Sequence, residues 1–165
     1  MHGGWFHIIG NMWFLWVFGD NVEDVMGPFR FVAFYLLCGL AAAGAQIATN
    51  AASPIPMVGA SGAIGGVMGA YALLFPKARV HTLLFLGFYV TTIAVPAVFM
   101  LGYWFVLQLL QGLPSVGSNQ GGVAFWAHIG GFVAGVALIH IFKRSDYVSA
   151  HQAQPQRQVS RHRWF

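Results

Sequence analysis

Long uncharged apolar runs alternate with short polar breaks along this chain, which predicts helices that cross a membrane. His2–Gly19 is aromatic-rich and 18 residues long, near the lower limit for spanning a bilayer. Gly19-Asp20-Asn21, then Glu23, Asp24 and Gly27-Pro28, mark its end with residues that break helices. The second run is Phe29–Thr49, followed by a polar, uncharged loop through Asn50, Ser53, Pro54 and Pro56. The third, Ser61–Phe75, is glycine-rich and stops at Pro76-Lys77-Ala78-Arg79. Thr82–Val90 is apolar but short and reads as an interfacial segment or the lead-in to the next span. Ile93–Gln111 is the fourth span, with Pro96 near its start. Gly112–Gly122 is a loop, and Val123–Phe142 is the fifth span. The expected fold is an all-α polytopic membrane protein with five transmembrane helices. Its membrane domain covers residues 1–142 and a basic tail covers residues 143–165, with Ser145–Phe165 reading as disordered.

Composition supports the membrane assignment and the charges orient it. Of 165 residues, 58% are hydrophobic and 7% charged, against about 25% charged in soluble domains. Between Phe31 and Phe142 the charged residues are Lys77 and Arg79. Arg30 lies in the break after the first run, and Lys143, Arg144, Arg157, Arg161 and Arg163 lie in the tail. The loops Asn50–Ala60 and Gly112–Gly122 carry no charge. The positive-inside rule therefore places the basic breaks and the C-terminus in the cytoplasm, and five spans put the N-terminus outside. The pI near 9.6 belongs to the flanks of the spans and does not point to nucleic acid. Cys38 has no second cysteine to pair with and reads as a packing residue.

The third run is too short to cross on its own. Its 15 residues extend about 22 Å as a helix, whereas the hydrocarbon core is about 30 Å thick. With Pro76-Lys77 at the cytoplasmic interface, Ser61 falls several Å below the outer surface, and Asn50–Ala60 must dip to reach it. Irregular backbone at that depth requires surrounding protein or a water-filled cavity. The expectation is a sunken, hydrated pocket with Ser61 on its floor. Gly59-Ala60-Ser61-Gly62 puts this serine at the first turn of a helix. Free backbone N–H groups and the positive end of the dipole there suit a nucleophile and a developing oxyanion.

Few polar side chains interrupt the spans. His7 and Asn11 are one turn apart and share a face of the first. His128 shares a stripe with Gly131 and Gly135 on the fifth. A small-residue stripe on the third, Ser61, Gly65 and Gly69 with Gly62 and Gly66 beside it, can pack on that face and bring His128 to Ser61. His128 can then serve as the base that a serine nucleophile needs. Asp20, Glu23, Asp24 and Asp146 all lie at the opposite end, so a hydrolase built on these residues would use a Ser–His dyad and not a triad, with the imidazole oriented by packing. The Ser61 backbone N–H, His7 and Asn11 are the candidate oxyanion donors. Other readings use the same residues. His7 and Asn11 can be interhelical glue, and His128 a satisfied buried histidine. A transporter would show internal repeats or intramembrane carboxylates, and neither is present. A metal held by His2, His7 and His128 has a poor ligand spacing and no Cys or carboxylate to complete it; no cofactor is expected.

The segment from His2 to Asn11, Phe18-Gly19-Asp20, Gly59-Ala60-Ser61-Gly62 and Ala127-His128-Ile129-Gly130-Gly131 together resemble the rhomboid intramembrane serine proteases, in order and spacing, over nearly the whole apolar region. The resemblance implies a serine endopeptidase of the rhomboid-like helical fold, with Ser61 and His128 as the dyad and His7 and Asn11 stabilising the oxyanion. It implies that the substrates are transmembrane segments of other membrane proteins, cut near the outer face. The expected setting is a multi-pass protein in membrane lipid, of a bacterial plasma membrane, with a cytoplasmic C-terminus. The alternative is a catalytically silent rhomboid-like protein that binds transmembrane helices; such relatives typically lose the serine or histidine, and both are present here. The sequence departs from the family in two places. The chain starts at what looks like the second of at least six spans, without the first helix and the loop after it, so the expectation is a truncated or mis-started chain with reduced stability and activity. The aromatic that some members carry four residues after the serine is Gly65 here.

Overall fold

The computed structural model describes residues 4–51, 59–116 and 123–152. Helices α1 (Trp5–Asp24), α2 (Pro28–Thr49), α3 (Ser61–Leu74), α4 (Ala97–Gly112) and α5 (Phe125–Phe142) pack into a bundle. Between α3 and α4 lies an antiparallel hairpin of β1 (Arg79–Leu86) and β2 (Tyr89–Pro96), and a short helix α6 (Ser145–Gln152) follows α5. Helices α2, α4 with the 3-10 turn that prolongs it to Ser115, and α5 are long and apolar enough to cross a membrane. These are three of the five expected spans. Helix α3 is apolar but has 14 residues, about 21 Å. Helix α1 has 20 residues and carries Asp20, Glu23 and Asp24 in its last turns. The architecture is a helical, polytopic membrane fold. Large apolar side chains point outward, among them Trp13, Leu40, Phe99 and Ile141. Lipid accommodates such a surface, which in water would invite association.

Helix α3 is the centre of the bundle. It is buried continuously from Gly62 to Tyr71 and packs on each of the other four. Its small residues allow this, because two helices approach closely only where side chains do not hold them apart. The tightest approach is to α5. A Cβ at Gly131 would collide with the carbonyl oxygen of Gly62, and one at Gly135 with that of Gly66. The two expected small faces therefore do meet. Behind Gly66 on the α2 side sits the fully buried Cys38. Toward the basic end the core becomes bulky, with Phe18, Val22, Phe34, Val67, Met68, Leu101 and Ile139. Phe18 meets Tyr71 edge-on at 5.0 Å. There the Arg144 N–H donates to Val25 O at 2.9 Å, and Arg30 Nη1 donates to Phe142 O at 3.4 Å.

Several boundaries differ from the sequence expectation. The first helix runs through Gly19-Asp20-Asn21 to Asp24, because Gly19 and Val22 are buried against the core and hold the extra turn in place. The reversal comes at Gly27, whose φ of +84° favours glycine. The fourth helix begins at Ala97, after Pro96 at its N-cap, so Ile93–Pro96 belong to β2. Thr82–Val90, expected to be interfacial or a lead-in, forms half of the hairpin and its turn. Its strands are rich in β-branched and aromatic residues, and Gly87, with φ +66°, opens the two-residue loop Gly87-Phe88. The tail, expected to be disordered from Ser145, is helical as far as Gln152, and residues 153–165 lie outside the described residues. So do residues 52–58 and 117–122, which make up most of the two uncharged loops.

Candidate active site

Ser61 is the first residue of α3, so its backbone N–H has no acceptor within the helix and lies at the positive end of the dipole. The residue two before it, Gly59, has φ +124°, a conformation in which side chains are strained. A Cβ there would also lie 2.9 Å from the Cε1 and Nε2 atoms of His7 and 3.6 Å from Ser61 Oγ. Glycine is thus required at this position on two counts, and its bareness brings the His7 ring beside the serine.

His128 lies one turn into α5. Its Nε2 is 2.8 Å from Ser61 Oγ. The close α3–α5 contact creates this hydrogen bond, because Gly62 and Gly131 leave no side chain between the helices. The first turn of α5 is fastened from another side, where the Ala127 N–H donates to Gln46 Oε1 at 3.2 Å. Ser61 and His128 are each partly exposed. Helix α2, whose Ala42 touches Gly62, continues to Thr49, which carries it about 10 Å past the level of the serine. The dyad is therefore set down within the bundle and not at its rim.

His7 and Asn11 occupy one face of α1, as their spacing requires. His7 is partly buried, whereas Asn11 is buried at 7% exposure. Asn11 Nδ2 is a buried donor with no hydrogen-bond partner among the described residues, so it makes no bond to Ser61. Leaving such a donor unsatisfied costs about 1–3 kcal/mol. Of the three histidines weighed as a metal set, His2 lies outside the described residues, and both ring nitrogens of His128 are engaged.

Three neighbours of the dyad were not anticipated from the sequence. Gln108 on α4 is buried at 8% exposure and places Oε1 2.8 Å from His128 Nδ1. Trp104, one turn earlier on the same helix, lies over the imidazole with ring centroids 5.7 Å apart. Gln46 is the third. The imidazole is therefore oriented by a hydrogen bond as well as by packing, which corrects the expectation of packing alone. Gln108 did leave a signal, being a polar residue one turn from the end of the fourth apolar run.

The profile of the family described as "Rhomboid domain" matches residues 1–145. Rhomboid protease GluP of Bacillus subtilis is 34% identical over 138 residues, covering 84% of this chain and 24% of that protein. Rhomboid protein 1, mitochondrial, of Saccharomyces cerevisiae is 31% identical over 172 residues, 99% of this chain and 44% of that protein. RHOMBOID-like protein 5 of Arabidopsis thaliana is 31% identical over 139 residues, 84% of this chain and 40% of that protein. The chain thus spans less than half the length of each of these relatives. No solved structure matches it.

Proposed function

The chain belongs to the rhomboid family of intramembrane serine proteases, and from this premise we propose that it is a serine endopeptidase cleaving transmembrane segments of other membrane proteins with Ser61 and His128. The observation that carries the proposal is the 2.8 Å hydrogen bond between Ser61 Oγ and His128 Nε2 at the free N-terminus of a buried helix. His128 Nε2 takes the Ser61 proton as Oγ attacks the scissile carbonyl carbon. The carbonyl π electrons move onto oxygen, and the resulting oxyanion is held by the Ser61 backbone N–H, His7 and Asn11. Nδ2 of Asn11 supports this role, since a buried donor without an acceptor among the described residues is ready for one that forms during the reaction. The tetrahedral intermediate collapses, the C–N bond breaks, and His128 delivers its proton to the leaving amine. Water then attacks the acyl-enzyme, with His128 again as base, and releases Ser61.

The orientation proposed is the one that the charges favour, with the basic end and C-terminus in the cytoplasm and the site toward the outer face. The test is reaction of the purified chain in detergent with a fluorescent fluorophosphonate, beside cleavage of a peptide that carries a transmembrane segment. Wild type should be labelled and should cleave, and Ser61→Ala and His128→Ala should each do neither, because nucleophile and base act as a unit. Cleavage that persists in Ser61→Ala overturns the assignment. Binding of the peptide by wild type without labelling or cleavage would favour the silent, helix-binding reading.

A further inference from the structure

A dyad without a carboxylate has an orientation problem that the fourth helix resolves. The neutral imidazole carries one proton on two ring nitrogens. Nε2 can accept from Ser61 only in the tautomer that has its proton on Nδ1. The acidic residues, one of which would otherwise select this tautomer, are remote: Asp20, Glu23 and Asp24 are at the far end of α1, and Asp146 is in α6.

We infer that Gln108 is the positioning residue for His128, holding the Nδ1–H tautomer from α4, with Trp104 fixing the plane of the ring. This rests on the protease reading of Ser61 and His128. An amide oxygen can only accept, so Gln108 Oε1, at 2.8 Å, takes its hydrogen from Nδ1 and leaves the Nε2 lone pair facing Ser61 Oγ, also at 2.8 Å. The two acceptor–donor contacts lie on opposite sides of the ring and define its direction. Trp104 removes the remaining freedom. Its ring lies 5.7 Å from that of His128 and 6.1 Å from that of Phe132, which in turn packs 4.6 Å from Phe105. Trp104 and Gln108 are four residues apart on α4 and so face His128 together. Because Gln108 is buried, water does not readily replace it as the acceptor. The same amide dipole steadies the imidazolium while the ring holds the serine proton.

The experiment compares wild type, Gln108→Met and Gln108→Glu, with Ser61→Ala as the control for the underlying reading. The readout is the second-order rate of fluorophosphonate labelling against pH, with thermal unfolding in detergent beside it. Methionine keeps the length of the side chain but accepts no comparable bond. The expected loss is on the order of 10²-fold, the cost of letting a reacting group wander by about 1 Å, with an unfolding temperature close to that of wild type. Glutamate keeps the acceptor and adds a negative charge, which favours imidazolium. Protonated His128 cannot act as base, so the acid limb of the profile should move to higher pH, by about one unit or more, with activity recovered above the limb. The titratable group beside the dyad on α1 is His7, whose ring lies against Gly59 next to Ser61. Helices α3 and α4 bring no charged residue, α2 brings Arg30 at its far end, and α5 brings His140 three turns away. Labelling of Gln108→Met at the wild-type rate, or an acid limb in Gln108→Glu that does not move, overturns the inference. If Gln108→Met fails to fold, the profile of the isosteric Gln108→Glu decides alone. Labelling that survives in Ser61→Ala defeats the protease reading instead, so the two failures are distinguishable.

Discussion

Substituting Gly131 by alanine adds one methyl group a turn away from His128 and leaves the identity of both reacting side chains unchanged, yet it should disable the site. The added Cβ would collide with the carbonyl oxygen of Gly62. That oxygen belongs to helix backbone and cannot rotate away as the end of a side chain can. To restore ordinary contact, α3 and α5 must part by on the order of 1 Å. The Ser61–His128 bond spans the same pair of helices one turn nearer the site, at 2.8 Å. An increase of that size takes it beyond hydrogen-bond length. Misplacement on this scale costs about 10²-fold in rate, and overpacking costs about 1–3 kcal/mol of stability. Gly44→Ala on α2 and Gly102→Ala on α4 are the controls, since a Cβ at either meets nothing within 4 Å. Both should keep the wild-type labelling rate and unfold at the same temperature or slightly higher, because alanine is the better helix former by about 1 kcal/mol. The assay is the fluorophosphonate rate at fixed pH, with thermal unfolding in the same detergent. Gly131→Ala labelled within twofold of wild type would refute the claim that close helix approach builds the dyad.

Asn11→Ala should lower the rate by about 10²–10³-fold, as loss of one oxyanion donor does. It should not lower stability, because it removes a buried donor that has no partner among the described residues; equal cleavage rates with and without the amide would exclude the oxyanion role. In a Cys38→Ala background, a cysteine at Val116, beyond the site end of α4, should react with an impermeant thiol reagent added outside intact cells, and one at Ser149 in α6 should react only after permeabilisation. The opposite labelling pattern would reverse the orientation.

Runs of apolar residues, the scarcity of charge and the placement of the basic residues were enough to establish a helical membrane protein. They located the Pro28–Thr49, Ser61–Leu74 and Phe125–Phe142 helices to within two residues, because an uncharged stretch in lipid can satisfy its backbone only as a helix or in a closed barrel. The pairing of Ser61 with His128 was legible only as one option, since the glycine stripes of the two helices can pack together and bring the histidine to the serine. Tertiary structure decided the rest. The helix through Gly19-Asp20-Asn21 persists because burial of Val22 outweighs weak local propensity. The hairpin at Arg79–Pro96 depends on strand pairing and on the glycine turn at Gly87, which an apolar run too short for a span does not reveal. Gln108 is the clearest case. In the sequence it is one of two amides, with Gln111, in an apolar helix, and glue between helices is the ordinary use of such a residue. Its contact with His128 joins residues twenty positions apart on different helices. That contact exists only because of the rotation of α4 about its own axis, which packing against α5 sets and no local pattern encodes.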